Sequence, residues 1–357
     1  MSAFSVALGN ANACGTERPR LATRRMTEML SYRFGKRDGR APEGKTAVAS
    51  ATLPEFTVAV CTRNRSRSLS RTLESVARQE ASVAWETLVV DNGSTDDTAE
   101  RVRARAADFP VALRLEHETV PGAGAARNRA LAAARGRVLL FADDDVTCRP
   151  GWLAEHVRAF ADPNVIGSGG RILPNLPPDA PQWLRDALPK EAGGPTARYD
   201  FGMESREILP GNDVYPAFTA NMGVARDRGI ALGGFRTDLG PGTRIPFGED
   251  VEFFSRLMKL SGRCLYLPDA VVDHHIPPAR TTREYYFHWY QNLGRASIAA
   301  NGPMSRVTRM GKLFRYGPRL ATWALRSGRR YRNPYDQLDT RRKFEHARGR
   351  CLELLGR

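Results

Sequence analysis

Val138-Leu139-Leu140-Phe141-Ala142-Asp143-Asp144-Asp145 is the stretch on which the reading of this chain turns: an apolar run that stops in three carboxylates. Aspartate is a poor strand former, and adjacent carboxylates repel one another. Such a cluster at the tip of a buried strand is costly unless a cation neutralises it. Oxygen ligands suit a hard divalent ion such as Mg2+ or Mn2+, which commonly brings a substrate phosphate with it. The plainer alternative is an acidic turn that ends the strand and caps a helix starting near Pro150.

Upstream of this stretch, strand and helix signals alternate. Phe56–Cys61 reads as a buried strand, followed by a polar loop and a helix through Ser68–Gln79. Glu86–Val90 is a second strand ending at Asp91, then Asn92-Gly93-Ser94-Thr95 leads into a helix through Ala107. Val111–Leu115 is a third strand, Ala123–Ala134 a helix and Val138–Phe141 a fourth strand. This alternation predicts a doubly wound, mostly parallel α/β sheet flanked by helices. Right-handed crossovers then place the loops after successive strands on one edge, where ligands bind. Thr62-Arg63-Asn64, Asp91 and Asp143–Asp145 all fall in those loops.

Downstream of Trp152 the pattern loosens. Prolines crowd residues 173–216, which reads as an irregular excursion on the acceptor side. Ala217–Val224 resumes strand character, Glu249–Leu260 reads as a helix, Arg263–Leu267 and Ala270–Asp273 as short strands, and Thr281–Ala300 as a helix. The chain therefore divides into a flexible basic leader (1–54), a body (55–300) and a basic helical extension (301–357). Within the body, 55–150 is the nucleotide-binding half and 151–300 the acceptor and catalytic half. A short helix is expected over Thr27–Tyr32 in the leader.

The net charge of +15 is not evenly spread. Residues 1–50 hold nine Lys and Arg against four Asp and Glu, and residues 301–357 hold fifteen against four. The middle, 51–300, has thirty against thirty-one. Basic ends on a neutral body suit tails that touch an anionic surface better than a nucleic-acid-binding core. Five cysteines are scattered without CxxC spacing, which argues for reduced thiols in a cytoplasmic setting and against a zinc site. The N-terminal run Phe4–Leu8 lacks a preceding positive charge and is too short for a signal peptide. No segment approaches the roughly 20 apolar residues a membrane span needs.

Four further motifs carry chemistry. Thr62-Arg63-Asn64-Arg65 offers hydroxyl, amide and guanidinium groups for a base, ribose or phosphate, or a polar loop with Asn64 or Ser66 as N-cap. Asp91 can accept from a base imide or ribose hydroxyl, with Thr95 capping the next helix. Pro121-Gly122-Ala123-Gly124 opens a helix whose amides favour an anion, with Arg127 adding charge near a diphosphate. Glu249-Asp250 sits at the first turn of an amphipathic helix, where the dipole favours carboxylates and where one could act as general base. Asp273-His274-His275 ends a late strand, structurally or as metal or phosphate ligands.

The succession Thr62-Arg63-Asn64, Val89–Asp96, Gly124-x-x-Arg127-Asn128 and Asp143-x-Asp145 resembles family 2 glycosyltransferases of the GT-A fold. Asn221-Met222, Gly233-Gly234-Phe235, Gly248-Glu249-Asp250 and Pro268–His274 continue the match, so that it covers roughly residues 55–290. The resemblance implies a metal-dependent, inverting hexosyltransferase with a nucleotide-diphosphate sugar donor, UDP-sugar foremost. Its acceptor would be a hydroxyl on a lipid-linked or polysaccharide precursor. Thr62, Arg63, Asn64, Asp91, Arg127, Asp143 and Asp144 would then bind the nucleotide sugar. Asp145, with Asp143 and His274, would hold Mg2+ or Mn2+, and Asp250 would be the base beside Glu249.

Residues 304–325 interleave Val307, Met310, Leu313-Phe314, Leu320 and Trp323 with arginines, a pattern fit for an anionic membrane interface or for packing on the body. Gly317-Pro318 is expected to break or kink that helix. The membrane reading places the protein at the inner face of the cell membrane. Two other classes compete. A sugar-phosphate nucleotidyltransferase would want a glycine-rich loop after the first strand, and Thr62-Arg63-Asn64-Arg65 has no glycine. A non-enzymatic nucleic-acid binder explains the basic ends but not a neutral body with ordered acidic loops.

Overall fold

A computed structural model describes residues 53–356 apart from 189–193, 212–213, 330 and 332. The leader, with the helix expected over Thr27–Tyr32, lies outside the described residues except for its last two positions. The strands are β1 (Phe56–Thr62), β2 (Trp85–Asp91), β3 (Leu113–His117), β4 (Val138–Asp143), β5 (Val146–Cys148), β6 (Val165–Asn175), β7 (Arg206–Glu207), β8 (Asn221–Ala225) and β9 (Arg263–His275). The helices that flank them are α1 (Ser66–Ala77), α2 (Thr98–Ala106), α3 (Ala123–Ala133), α4 (Trp152–Ala159), α5 (Gln182–Ala187), α6 (Arg226–Ala231), α7 (Glu249–Leu257) and α8 (Arg283–Ala299). Two long helices complete the order, α9 (Arg306–Ser327) and α10 (Pro334–Leu354).

The described strands form one sheet in the order β3-β2-β1-β4-β8-β6-β9-β5, with β7 on β9. Strands β1 to β4 are mutually parallel, as the alternation of elements requires. Their core positions are apolar on both faces: Val58, Ala59, Val60, Leu88, Val89, Leu139 and Leu140 are all fully buried. Register then fixes the edge. Thr62 pairs with Asp91, and Cys61 with Asp143, so the polar ends of three strands finish side by side.

β8 runs antiparallel to both β4 and β6, and makes the sheet mixed. The expected pair of short strands at 263–273 is one strand, β9, whose register against β6 shifts between Gly170 and Arg171. Pro268 lies opposite that shift, where its missing N–H would leave a ladder bond unmade. The far end of β9 pairs antiparallel with β5, bringing Val146 opposite His274. The acidic stretch is therefore a turn between β4 and β5 and does not cap a helix; the N-cap of α4 is Gly151.

A buried polar cluster ties α4 to the sheet. Asn221 Oδ1 accepts from Trp152 Nε1 (2.7 Å) and lies 3.0 Å from His156 Nε2, while its Nδ2 donates to Ala270 O (2.8 Å) and Arg171 O (3.1 Å). α8 and α10 pack together closely at two glycines. A Cβ at Gly349 would meet Gln291 O at 1.8 Å, and one at Gly294 would meet His346 O at 2.1 Å. α9 runs through Gly317-Pro318 without interruption, contrary to the break expected there. Its one lost backbone bond is tolerated on a helix with no buried residue.

Candidate active site

A cavity of about 540 Å³ opens where β1, β2 and β4 end, and is closed on the far side by α7 and α8. Thr62, Arg63, Asp143, Asp144, Asp145, Arg127, Glu249, Asp250 and His274 all line it, so most of the residues singled out from sequence meet at one place. The fold explains why. The strand ends supply one wall, the β5–β9 pairing carries His274 to Asp145, and Gly248 starts α7 with its first two carboxylates facing inward.

The three aspartates have different surroundings. Asp144 is buried, accepts from Thr62 Oγ1 (2.7 Å) and from Arg65 Nη1 (2.8 Å), and burial pushes its carboxyl up to about 6 despite that arginine. Asp145 Oδ2 accepts from the same Arg65 Nη1 (2.9 Å), and its Oδ1 lies 3.3 Å from His274 Nε2. Burial opposes its charge, but His274, Arg65 and Arg280 hold it below the usual carboxylate range. Asp143 is about a third exposed (35%) and faces Arg127 (3.6 Å) and Thr219 (3.4 Å).

A divalent ion fits at Asp145. Its Oδ1 is buried with no close donor, and His274 Nδ1 lies 3.0 Å from Thr196 O, which places an imidazole N–H there and leaves Nε2 to face Asp145. Burial opposes a charged His274, yet Asp145 raises its proton affinity above the ordinary value; what favours a proton there favours a cation. Of the expected ligand set, the structure brings Asp145 and His274 together, whereas Asp143 turns to Arg127. Among the described residues no three such side chains already surround one point. His275 is a register residue, its Nε2 2.8 Å from Thr147 Oγ1 and its Nδ1 3.2 Å from Asn175 Nδ2.

Across the cavity, Arg127 is buried and bonds Glu249 Oε1 through Nη1, with its guanidinium over the Phe235 ring (5.9 Å). It faces carboxylates on two sides, Glu249 and Asp143. Two further arginines line the wall next to Asp145: Arg65, shared by Asp144 and Asp145 and part of the Thr62–Arg65 motif, and Arg280, which sequence did not single out. The glycine-rich opening of α3 is also committed. Gly122 N donates to Asn92 Oδ1 (2.8 Å), Ala123 N to Pro241 O (3.0 Å), and a Cβ at Gly124 would meet Arg236 O at 2.4 Å. Close packing on Arg236 accounts for Gly124, and a backbone φ of +124° for Gly122.

Asp250 has no arginine of its own. Burial first, then Glu249, push its carboxyl up to about 7, against a smaller opposing pull from Arg127. Burial also lifts the Cys61 thiol to about 12, so the cysteine in the wall is inert as a nucleophile.

Asp91 and Asn64 are bracing residues in this structure. Asp91 is buried at the end of β2, accepting from Ser94 N (2.9 Å), and Asn92 takes the place in the cavity wall. Asn64, at φ +53°, accepts from Thr95 N (2.7 Å) and ties the β1–α1 loop to the β2–α2 loop. Neither it nor Ser66 is the N-cap of α1, which is Arg65. Asp96, not Thr95, serves the start of α2, accepting from Thr98 N at 3.1 Å. The wall of the 151–300 half carries Phe247, Tyr285 and Trp289, aromatic residues that no motif announced.

Comparison with known proteins gives this geometry its context. Residues 57–214 match the family model described as Glycosyl transferase family 2. The chain is 30% identical over 223 residues to the pre-mycofactocin glycosyltransferase of Mycobacterium tuberculosis, covering 62% of this chain and 42% of that protein. It thus spans about two fifths of that relative's length. It is 25% identical over 228 residues to the succinoglycan biosynthesis protein ExoM of Rhizobium meliloti, covering 63% of this chain and 68% of that one. Among solved structures, the mannosyltransferase PcManGT of Pyrobaculum calidifontis, in complex with GDP-Man and Mn2+, shares the fold with a TM-score of 0.50 at 21% identity, over 83% of this chain and 74% of that one. Residues 57–214, which contain the acidic turn and the parallel strands β1 to β4 of a mixed GT-A-like sheet, are thus a segment of the glycosyl transferase family 2 type.

Proposed function

We propose that this chain is an inverting glycosyltransferase that moves a sugar from a nucleoside-diphosphate donor, a UDP-sugar foremost, to an acceptor hydroxyl on a lipid-linked or polysaccharide precursor. The observation that carries the proposal is the placement of Asp250 in the same cavity wall as Asp143–Asp145, with its carboxyl raised to about 7. A base of that affinity is half in its acceptor form at neutral pH, matched to proton removal from a hydroxyl. The Mn2+ beside GDP-Man in the archaeal mannosyltransferase supports use of Mg2+ or Mn2+ here.

Asp145 and His274 would hold the ion, which when bound supplies positive charge for the departing diphosphate. Arg65 and Arg280 add fixed positive charge on the same side. Asp250 takes the proton of the acceptor hydroxyl as its oxygen bonds the anomeric carbon. The bond from that carbon to the diphosphate oxygen breaks, and its electron pair leaves with the nucleoside diphosphate. Attack from the opposite face turns an α-linked donor into a β-linked product. Phe247, Tyr285 and Trp289 cover the acceptor side and limit water, which would otherwise compete for the donor.

Thermal melting with UDP-, dTDP- and GDP-sugars, each with and without Mn2+, tests the donor site, since ligands of the native state raise the melting temperature. One donor should give a metal-dependent rise that Asp145→Ala abolishes. No rise with any donor, in protein shown to be folded, overturns the reading.

A further inference from the structure

We propose that α9 is a membrane-docking helix whose outward face lies in the interface of an anionic phospholipid bilayer. The structure separates its apolar residues into two faces. Tyr316 and Trp323 turn toward α10, under Arg350 (5.0 Å from the ring centroid) and Lys343 (5.1 Å). Leu313 and Leu320 are half-buried on the same side. The opposite face carries Val307, Met310, Phe314 and Leu325, which are 82%, 53%, 76% and 76% exposed. Steps of three and four residues, with Ala321 completing the row, hold these side chains on one stripe of the helix. Nothing in the internal packing calls for that stripe, because α10 is already covered by the other face.

Charge decides the occupant. Residues 301–335 contain nine Lys and Arg and no Asp or Glu. Arg315, Arg319 and Arg326 flank one edge of the stripe and Arg306 the other. A second copy docked on the stripe would bring these arginine rows together, which like-charge repulsion opposes. An anionic interface attracts the arginines while the apolar stripe enters the boundary between headgroups and acyl chains. No helix among the described residues is long and apolar enough to cross a membrane, so docking would be on the surface.

Docking also bears on the acceptor, a point that rests on the transferase reading. Leu293, Ala296 and Ala300, at the end of α8, line the cavity, and α9 begins six residues after Ala300. Six steps of chain reach at most about 20 Å. The start of the docked helix therefore lies within that distance of the cavity lining, which suits an acceptor hydroxyl carried on a lipid.

The test uses the full chain and sedimentation with vesicles of phosphatidylcholine alone or mixed with phosphatidylglycerol, at about 0.1 M salt. Wild type should sediment with the anionic vesicles at least about tenfold better than with the neutral ones. Met310→Glu/Phe314→Glu, at exposed positions, should lose about tenfold of that binding while keeping the melting temperature and any donor-induced rise. Binding of the double variant equal to wild type overturns the proposal, as does wild type that ignores anionic vesicles. A wild-type dimer that the double variant makes monomeric would show a second copy on the stripe instead, and also overturns it. Because the readout needs no turnover, its failure is separate from failure of the transferase reading.

Discussion

The carboxylates of the β4–β5 turn and those that begin α7 line the same cavity, but the arginines divide between them unequally. In the turn, one Arg65 nitrogen serves both Asp144 and Asp145, and His274 adds to Asp145. At α7, Arg127 is taken by Glu249 and leaves Asp250 with a backbone amide, Val251 N at 2.8 Å. The outcome is two kinds of acid from one residue type. Asp145 is held anionic, fit for a cation, while Asp250 is raised to about 7, fit to accept and release a proton. Asp144, on the same Arg65 nitrogen, is still raised to about 6, so burial and the number of cations around each carboxylate set its chemistry together.

The sharpest way to break this contrast is Asp250→Asn. An amide keeps the shape and removes the base, so kcat should fall by about 10²–10⁴ while the donor-induced melting shift stays. The pH profile carries the same information. Wild-type rate should climb about tenfold per pH unit below about 7 and level above it, and the residual rate of the variant should be flat there. The groups that set this limb are Glu249 and Asp143, which raise the carboxyl, and Arg127, which lowers it. Stability moves the other way. Because the folded state raises Asp250 from 3.8 to about 7, ionising it costs the fold stability as pH rises through that window. Asp250→Asn avoids this loss and should melt above wild type at pH 8, with the gap closing below pH 4. A variant with full activity, or with an unchanged acid limb, removes Asp250 from the role of base.

Arg127 sharpens the comparison from the other side. Arg127→Ala would leave Glu249 buried beside Asp250 without its cation, at a cost of about 3–5 kcal/mol in urea unfolding. Replacing both, as Arg127→Met/Glu249→Leu, should recover most of it, because no unpaired charge is then buried. If the single and double variants lose stability equally, the two side chains are not coupled, and Arg127 is not what separates Glu249 from Asp250.

The parallel part of the sheet, β1 to β4, was legible because its signals are local. Apolar runs ending in Thr62, Asp91 and Asp143 place three strand ends, and parallel register does the rest. The rest of the sheet was not, because β5, β6 and the single β9 are defined by partners far away in sequence. Asp145 meets His274 only through the β5–β9 pairing, across more than a hundred residues. The same holds for side-chain roles. The glycine-rich setting of Arg127 pointed to a diphosphate, while its bond to Glu249, on a distant helix, is announced by nothing local. Arg280 and Trp289 sit in no motif and are identified only by the cavity they line. Pro318 shows the opposite case: a local breaker was real, but α9 is surface-exposed and is not broken there.

Within the acidic turn the smallest effect is expected at its middle residue. Asp144→Asn keeps an oxygen for Thr62 or Arg65, and Arg65 retains Asp145 as its counter-charge. The loss should be about 1 kcal/mol, a fall in rate of less than about tenfold. Asp145→Asn has no such cover. It removes the negative charge that faces His274 and puts a donor amide in the buried site, so metal-dependent donor binding should disappear. Measuring the Mn2+-dependent melting shift and the transfer rate for both variants orders the triplet. Equal losses at the two positions would move the cation toward Asp144, and the contrast between an arginine-shared turn and an arginine-poor helix start would then need a different ligand set.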